Sequence, residues 1–272
     1  MTDIPARDIA WRDEGSGPAV VLLHGFPFDG SMWNAQVPDL LEAGWRVLVP
    51  DLPGFGRSAP VTTEPSLPSV VGALVQGLLR TSVDRCVLVG LSLGGYLIME
   101  WLRQHPEMVA AIALCDTKAS ADSEEARAAR LAMAAVVDQD PSSCAAILSE
   151  RLAPIVVGHT TIQDRPAVVD AVRTWLDSAD PRSVSWYQRA MAARPDSRSV
   201  LADCDLPALV VWGSEDVMAP QDEQDVLIDV LHRGRFAVIP GAGHMSAVER
   251  PDQINAELVE FLTTVRRMSA DN

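Results

Sequence analysis

Residues 90–96 read GLSLGGY and stand directly after the continuous apolar run 86–89, CVLV. An unbroken apolar run of this length suits a strand buried on both faces of a parallel sheet. Residues 93–105 carry helical periodicity, so Ser92 falls where a buried strand must turn straight into a helix. Such a turn strains the backbone at its central residue and needs small neighbours, which Gly90 and Gly94 supply at the G-x-S-x-G spacing. The hydroxyl is thereby exposed at a helix N-terminus, where free N–H groups and the helix dipole favour developing negative charge.

The same rhythm extends outward. Apolar runs at 19–23, 47–49, 112–115, 208–212 and 236–239 read as further buried strands. Helical patterns at 31–43, 69–81, 221–231 and 251–267 read as the crossovers and the closing helix, the last opening with Pro251. Residues 9–13 alternate and end at Gly15-Ser16-Gly17, which suggests an antiparallel hairpin ahead of the parallel strands. The expected fold is α/β: a doubly wound, mostly parallel sheet of about eight strands. Between Cys115 and Ala208 no strand pattern occurs, and 123–139, 141–152, 164–178 and 181–193 read as helices. We expect residues 1–118 and 200–272 to form the core and 119–199 a helical cap, inserted before the last strands and covering a functional edge of the sheet.

Composition narrows the classes of partner. The chain has 272 residues, 48% hydrophobic and 22% charged, enough for one large core. Its formal charge of −15, with no compensating run of Lys or Arg, argues against nucleic acid and against an anionic membrane surface. A small-molecule substrate is the expected partner, and nothing in the sequence indicates an oligomeric state. Cys86, Cys115, Cys144 and Cys204 lie far apart without zinc-ligand spacing, so they read as reduced structural thiols and no metal is expected. The opening MTDIPARDIAWRDEGSG lacks a basic start followed by an apolar segment, and no stretch is long enough to span a bilayer, so a cytoplasmic location is expected.

A serine hydroxyl is a weak nucleophile unless a base, a group to orient the base and donors for an oxyanion stand beside it. GSEDVMAP at 213–220 places Asp216 in the loop after one expected strand, and GAGHMSAVERP at 241–251 places His244 after the next. Upstream, LLHGFPFDGSMW at 22–33 follows an early strand, and the Phe26 N–H could join the Leu93 N–H as oxyanion donors. Asp116, at the end of the run 112–115, is the rival orienting acid, with Asp216 the better fit to its surroundings. His24 reads as scaffold of the oxyanion loop, Glu215 as solvated, and His105, His159 and His232 as surface or capping residues.

HGFP at 24–27, PDLPGFGRS at 50–58, GLSLGG at 90–95 and the two loops just quoted give the chain, over nearly its whole length, a resemblance to the α/β-hydrolase family. The resemblance implies Ser92 as nucleophile, His244 as base, Asp216 as its orienter, and the Phe26 and Leu93 N–H groups as oxyanion hole. It also separates the chain from epoxide hydrolases and haloalkane dehalogenases of the same fold, which carry aspartate where Ser92 stands. The implied activity is a cofactor-free serine hydrolase of the esterase or lactonase type. The stretch LCDTKASADSEEARAARL at 114–131 is loosely similar to 3-oxoadipate enol-lactonases. Phe28, Trp175, Trp186, Tyr187 and Met191 are candidate walls of an apolar substrate cleft. Other outcomes of the same machinery are acyl transfer, perhydrolysis, a cyclisation or elimination, or a receptor that keeps the pocket for binding alone.

Overall fold

The computed structural model describes residues 4–270. Seven strands form one sheet: β1 (Trp11–Glu14), β2 (Ala19–Leu23), β3 (Arg46–Pro50), β4 (Cys86–Leu91), β5 (Val109–Cys115), β6 (Ala208–Gly213) and β7 (Gly234–Ile239), in the spatial order β1-β3-β2-β4-β5-β6-β7. All neighbours run parallel except β1, which lies antiparallel to β3. This is the mostly parallel, doubly wound sheet expected, with seven strands described against about eight anticipated. The anticipated hairpin is corrected. After turning through Gly15 and Gly17, both at positive φ, the chain places β2 in the interior, and β1 pairs with β3 instead, Trp11 opposite Pro50 and Glu14 opposite Val47. The residues explain the choice: AVVLL of β2 is buried at every position, whereas WRDE of β1 is partly exposed and suits an edge.

Alternation on the buried strands divides the core into two layers. Ala19, Val21 and Leu23 face one side with Cys86, Leu88 and Val210, and Val20 and Leu22 face the other with Val87, Val89, Leu209 and Val211. The first layer is closed by α2 (Leu67–Leu79), α3 (Leu93–Gln104) and α11 (Gln221–Val230); the second by α1 (Val37–Glu42) and α13 (Pro251–Ala270). The 31–43 segment is not one helix but a 3-10 turn, Gly30–Trp33, followed by α1 with Pro38 in its first turn. Proline lacks the N–H that an unbroken helix needs and is tolerated only at such a restart.

Six helices lie between β5 and the return to the core: α4 (Glu124–Gln139), α5 (Cys144–Arg151), α6 (Ala153–Val156), α7 (His159–Asp164), α8 (Pro166–Ser178) and α9 (Pro181–Ala192). The helix expected over 164–178 begins at Pro166, with α7 ending before it for the same reason. α10 (Arg198–Ala202) packs on α11 and α3, and α12 (Ser246–Glu249) precedes α13. Among the described residues no helix is long and apolar enough to cross a membrane, and no group of three or more His, Cys, Asp or Glu side chains could hold a metal ion. The four cysteines are free and buried, and burial pushes the Cys86 thiol up to about 12.

Sheet topology fixes where chemistry can gather. The chain moves outward from β2 to β3 and then crosses to the other side of β2 to form β4, so the winding reverses between β2 and β4. Loops leaving the carboxyl ends of strands on either side of such a reversal diverge and open a crevice. Those loops begin at His24 and Ser92.

Candidate active site

Ser92 sits at φ 53° and ψ −108°, a conformation unfavourable for a residue with a side chain. The neighbours hold it there. Its N–H donates to the Cys115 carbonyl at 2.9 Å, and its carbonyl accepts from the Thr117 hydroxyl at 2.8 Å. A Cβ on Gly90 would lie 2.4 Å from the Gly94 carbonyl carbon, and one on Gly94 would lie 2.2 Å from the Leu23 carbonyl oxygen, so neither position admits a larger residue without backbone movement. Thermal unfolding tests this. Gly94→Ala should lower the midpoint sharply, whereas Gly72→Ala in α2, where a Cβ meets nothing within 4 Å, should raise stability by about 0.5–1 kcal/mol, or a few degrees.

His244 reaches Ser92 from the loop after β7. Its Nε2 lies 2.8 Å from Ser92 Oγ, and its Nδ1 lies 2.8 Å from Asp216 Oδ2. Asp216, as a carboxylate, can only accept, so Nδ1 carries a proton and Nε2 is left to accept from the serine hydroxyl. The other oxygen of Asp216 accepts from the Met218 and Ala219 N–H groups at 2.8 and 3.1 Å, which fixes the carboxylate plane. His244 and Asp216 are buried, while Ser92 is half-buried. Burial acts to lower the pKa of His244. The negative field and hydrogen bond of Asp216, with the charges of Asp116 and Glu249, outweigh it and leave the pKa raised above the ordinary value. Such an array can take a proton from Ser92 and hold the resulting imidazolium beside a carboxylate.

The loop after β2 carries Phe26, one of the two expected oxyanion donors. His24 Nδ1 pairs with the Gly25 carbonyl at 2.9 Å, and its Nε2 accepts from the Leu52 N–H at 2.8 Å. Both ring nitrogens are thus used, and burial lowers its pKa against opposing effects of Gly25, Asp29 and Asp51. His24 is a neutral brace for the loop. Phe26 follows at a cis bond to Pro27, and neither its N–H nor that of Leu93, the first residue of α3, has an acceptor among the turn and loop hydrogen bonds of the described residues. The Leu93 N–H adjoins Ser92 at the start of α3, where a donor without an acceptor can serve an anionic oxygen.

Asp116 does not hydrogen-bond to His244. Fully buried and at φ 47°, it accepts from the Gly213 N–H at 2.8 Å with one oxygen and from the Ser246 N–H at 3.3 Å and the Ser246 hydroxyl with the other. Burial, then the nearby charge of Asp216, raises its pKa well above the usual carboxylate range, against His244, Ser246 and Gly213. Asp116 thus ties together the two loops that carry Asp216 and His244. Glu215 is not simply solvated: it accepts from the Thr160 N–H at 2.9 Å and from the Thr160 hydroxyl, and pairs with His159 at 3.0 Å. Sequence reading missed Glu249, whose buried carboxylate binds only backbone N–H groups. Contacts of that kind leave no partner motif to find.

The candidate cleft residues divide. Phe28 and Trp175 meet edge to face at 5.8 Å between centroids, and Trp175 Nε1 donates to the Ser31 hydroxyl at 3.1 Å, so α8 rests on the loop after β2. Phe26, Phe55 and Tyr187 form an aromatic chain continued by Trp186. Trp186 Nε1 is tied to the Thr63 carbonyl at 2.7 Å, a packing role. Among the described residues the buried Tyr187 hydroxyl has no hydrogen-bond partner. Met191 is buried against Arg130, whose guanidinium is paired with Asp122 at 2.7 Å.

Residues 18–251 match the family model of the alpha/beta hydrolase fold. A thermophilic esterase from Thermogutta terrifontis, solved with malate bound, superposes with a TM-score of 0.90 at 33% identity, covering 94% of this chain and 93% of that one. The enol-lactonase from Burkholderia xenovorans LB400 superposes with a TM-score of 0.84 at 25% identity, covering 94% and 96%. Among curated sequences, a 2-hydroxy-6-oxononadienedioate/2-hydroxy-6-oxononatrienedioate hydrolase from Cupriavidus pinatubonensis is 26% identical over 262 residues, 92% of this chain and 89% of that one.

Proposed function

The chain belongs to the alpha/beta hydrolase family, and on that premise we propose that it is a cofactor-free serine hydrolase cleaving a carboxylic ester or lactone through an acyl-enzyme. One observation carries the reading: His244 bridges Ser92 and Asp216 at 2.8 Å on each side. In the reaction, His244 takes the Ser92 proton as the hydroxyl adds to the acyl carbon. The Phe26 and Leu93 N–H groups hold the oxyanion, and His244 returns the proton to the leaving alcohol. Water, activated by the same imidazole, then releases the acid. Each oxyanion donor contributes about 3–4 kcal/mol to lowering the barrier in sites of this kind.

The esterase at 33% identity and the enol-lactonase at 25% support an oxygen ester as the bond cleaved. Phe26, Phe28, Trp175 and Tyr187, packed beside the oxyanion loop, support a substrate with an apolar portion. Insertion of the 119–199 helices over this edge makes them the proposed cap. A panel of p-nitrophenyl esters and lactones of graded length tests the reading. We expect turnover of at least one short or medium ester or lactone, dependent on Ser92. Added alcohol or peroxide should divert only a minor share of product. Turnover of none of the panel, or product formed chiefly with an added nucleophile, would shift the reading to binding or to acyl transfer.

A further inference from the structure

We infer that Glu249 is a positioning residue that fastens the inserted helices to the base His244, making the 157–165 stretch of the insertion part of the catalytic scaffold rather than of a movable lid; this rests on the function proposed above. Glu249 is fully buried. Its Oε1 accepts from the N–H groups on both sides of His244, Gly243 at 2.9 Å and Met245 at 3.1 Å, and its Oε2 accepts from the Gly158 N–H of the insertion at 2.9 Å. A carboxylate given three N–H donors is satisfied without a cation and orients all three peptide groups.

The packing leaves no slack along this seam. A Cβ on Gly243 would lie 2.3 Å from Gly158 N, and one on Gly158 would lie 2.7 Å from Gly243 N and 2.6 Å from Glu215 Oε2, so backbone rests on backbone. The same short stretch is held from other sides. Thr160 binds Glu215, the neighbour of Asp216; Arg250 donates to Thr161 Oγ1 at 3.0 Å and to the Glu249 carbonyl at 2.8 Å; Arg165 donates to that same carbonyl. Turn 157–161 therefore touches the loops of both base and orienting acid. A displacement of about 1 Å in a group that transfers a proton is enough to cost about 10²-fold in rate.

Glu249 also acts through charge. Asp216, Asp116 and Glu249 are the groups whose negative fields raise His244. Removing one of them lowers the pKa of the imidazole, so the neutral base persists to lower pH and the acid limb of the rate profile moves downward.

The experiment uses the full chain in four forms: wild type, Glu249→Gln, Gly158→Ala, and Val137→Ala in α4 as a buried substitution of the insertion away from the seam. Steady-state kinetics on the best ester and the low-field proton resonance of the His244–Asp216 hydrogen bond are read in each. Gly158→Ala should lower kcat at least about tenfold with KM held within about twofold, and should shift or broaden the low-field resonance. Glu249→Gln should do the same and move the acid limb to lower pH. Val137→Ala should leave kcat, the acid limb and the resonance near wild type whatever it does to the unfolding temperature. The inference is overturned if Gly158→Ala and Glu249→Gln keep wild-type kcat, acid limb and resonance, or if Val137→Ala changes them equally. Should wild type turn over no ester, the proposed function fails, and the resonance in Gly158→Ala still decides whether the insertion positions His244. If Glu249→Gln does not fold, Gly158→Ala carries the decision.

Discussion

Asp216→Asn is expected to lower kcat by about 10⁴-fold while leaving KM and the fold nearly unchanged. The amide keeps the shape of the side chain, and its oxygen can still accept from Met218 or Ala219. An NH2 group facing Nδ1, however, forces the proton to Nε2, so the imidazole can no longer accept from Ser92. The amide also cannot balance the imidazolium. Asp116→Asn is the informative contrast, since Asp116 bonds to Gly213 and Ser246 and not to the ring. Its loss should cost at most about 10²-fold, through loop placement. Steady-state kinetics of both variants across pH decide the assignment. A collapse in Asp116→Asn with near-normal Asp216→Asn would make Asp116 the orienting acid.

Ser92→Ala should cost more, about 10⁵- to 10⁶-fold in kcat, since no other hydroxyl lies within reach of His244 Nε2 among the hydrogen bonds of the described residues. His244→Ala should be nearly as severe, and the double variant should be little worse than either, because nucleophile and base work as one unit. In wild type, kcat/KM should fall on the acid side of an apparent pKa above the ordinary histidine value. The sign follows from the raised pKa: the base must be neutral to accept the serine proton, and protonation removes it as pH drops through that value. A double variant that loses the product of the two single effects would contradict the unit.

The fold was legible because its central strands are buried on both faces. The runs at 19–23 and 208–212 are unbroken apolar stretches, and the structure places them as β2 and β6 within a residue of those bounds. Edge elements were harder. Residues 11–14 alternate as any hairpin strand does, and their pairing with β3 depends on the tertiary competition for the centre of the sheet. Prolines split the helices read over 31–43 and 164–178, where apolar spacing ran on past Pro38 and Pro166.

At the site, residues in short loops after strands could be named because backbone geometry restricts them: the glycines around Ser92 meet carbonyl groups, and His24 spends both nitrogens on neighbouring backbone. Residues acting through backbone N–H groups could not. Asp116 read as a rival acid and is instead a clasp between loops, Glu215 read as solvated and holds Thr160, and Glu249 left no trace beyond its place before Pro251. The cleft walls were named by residue type alone, and among them Trp186 is held in packing while Trp175 of α8 packs on Phe28 of the loop after β2.

The central claim is that Ser92 is a nucleophile primed by His244, and the most direct measurement is reaction of the folded protein with a fluorophosphonate, followed by intact mass and peptide mapping. The account predicts rapid addition of one phosphonyl group at Ser92. The adduct should be lost in Ser92→Ala and formed far more slowly in His244→Ala. No adduct on folded wild-type protein, or an adduct that survives Ser92→Ala, would contradict it.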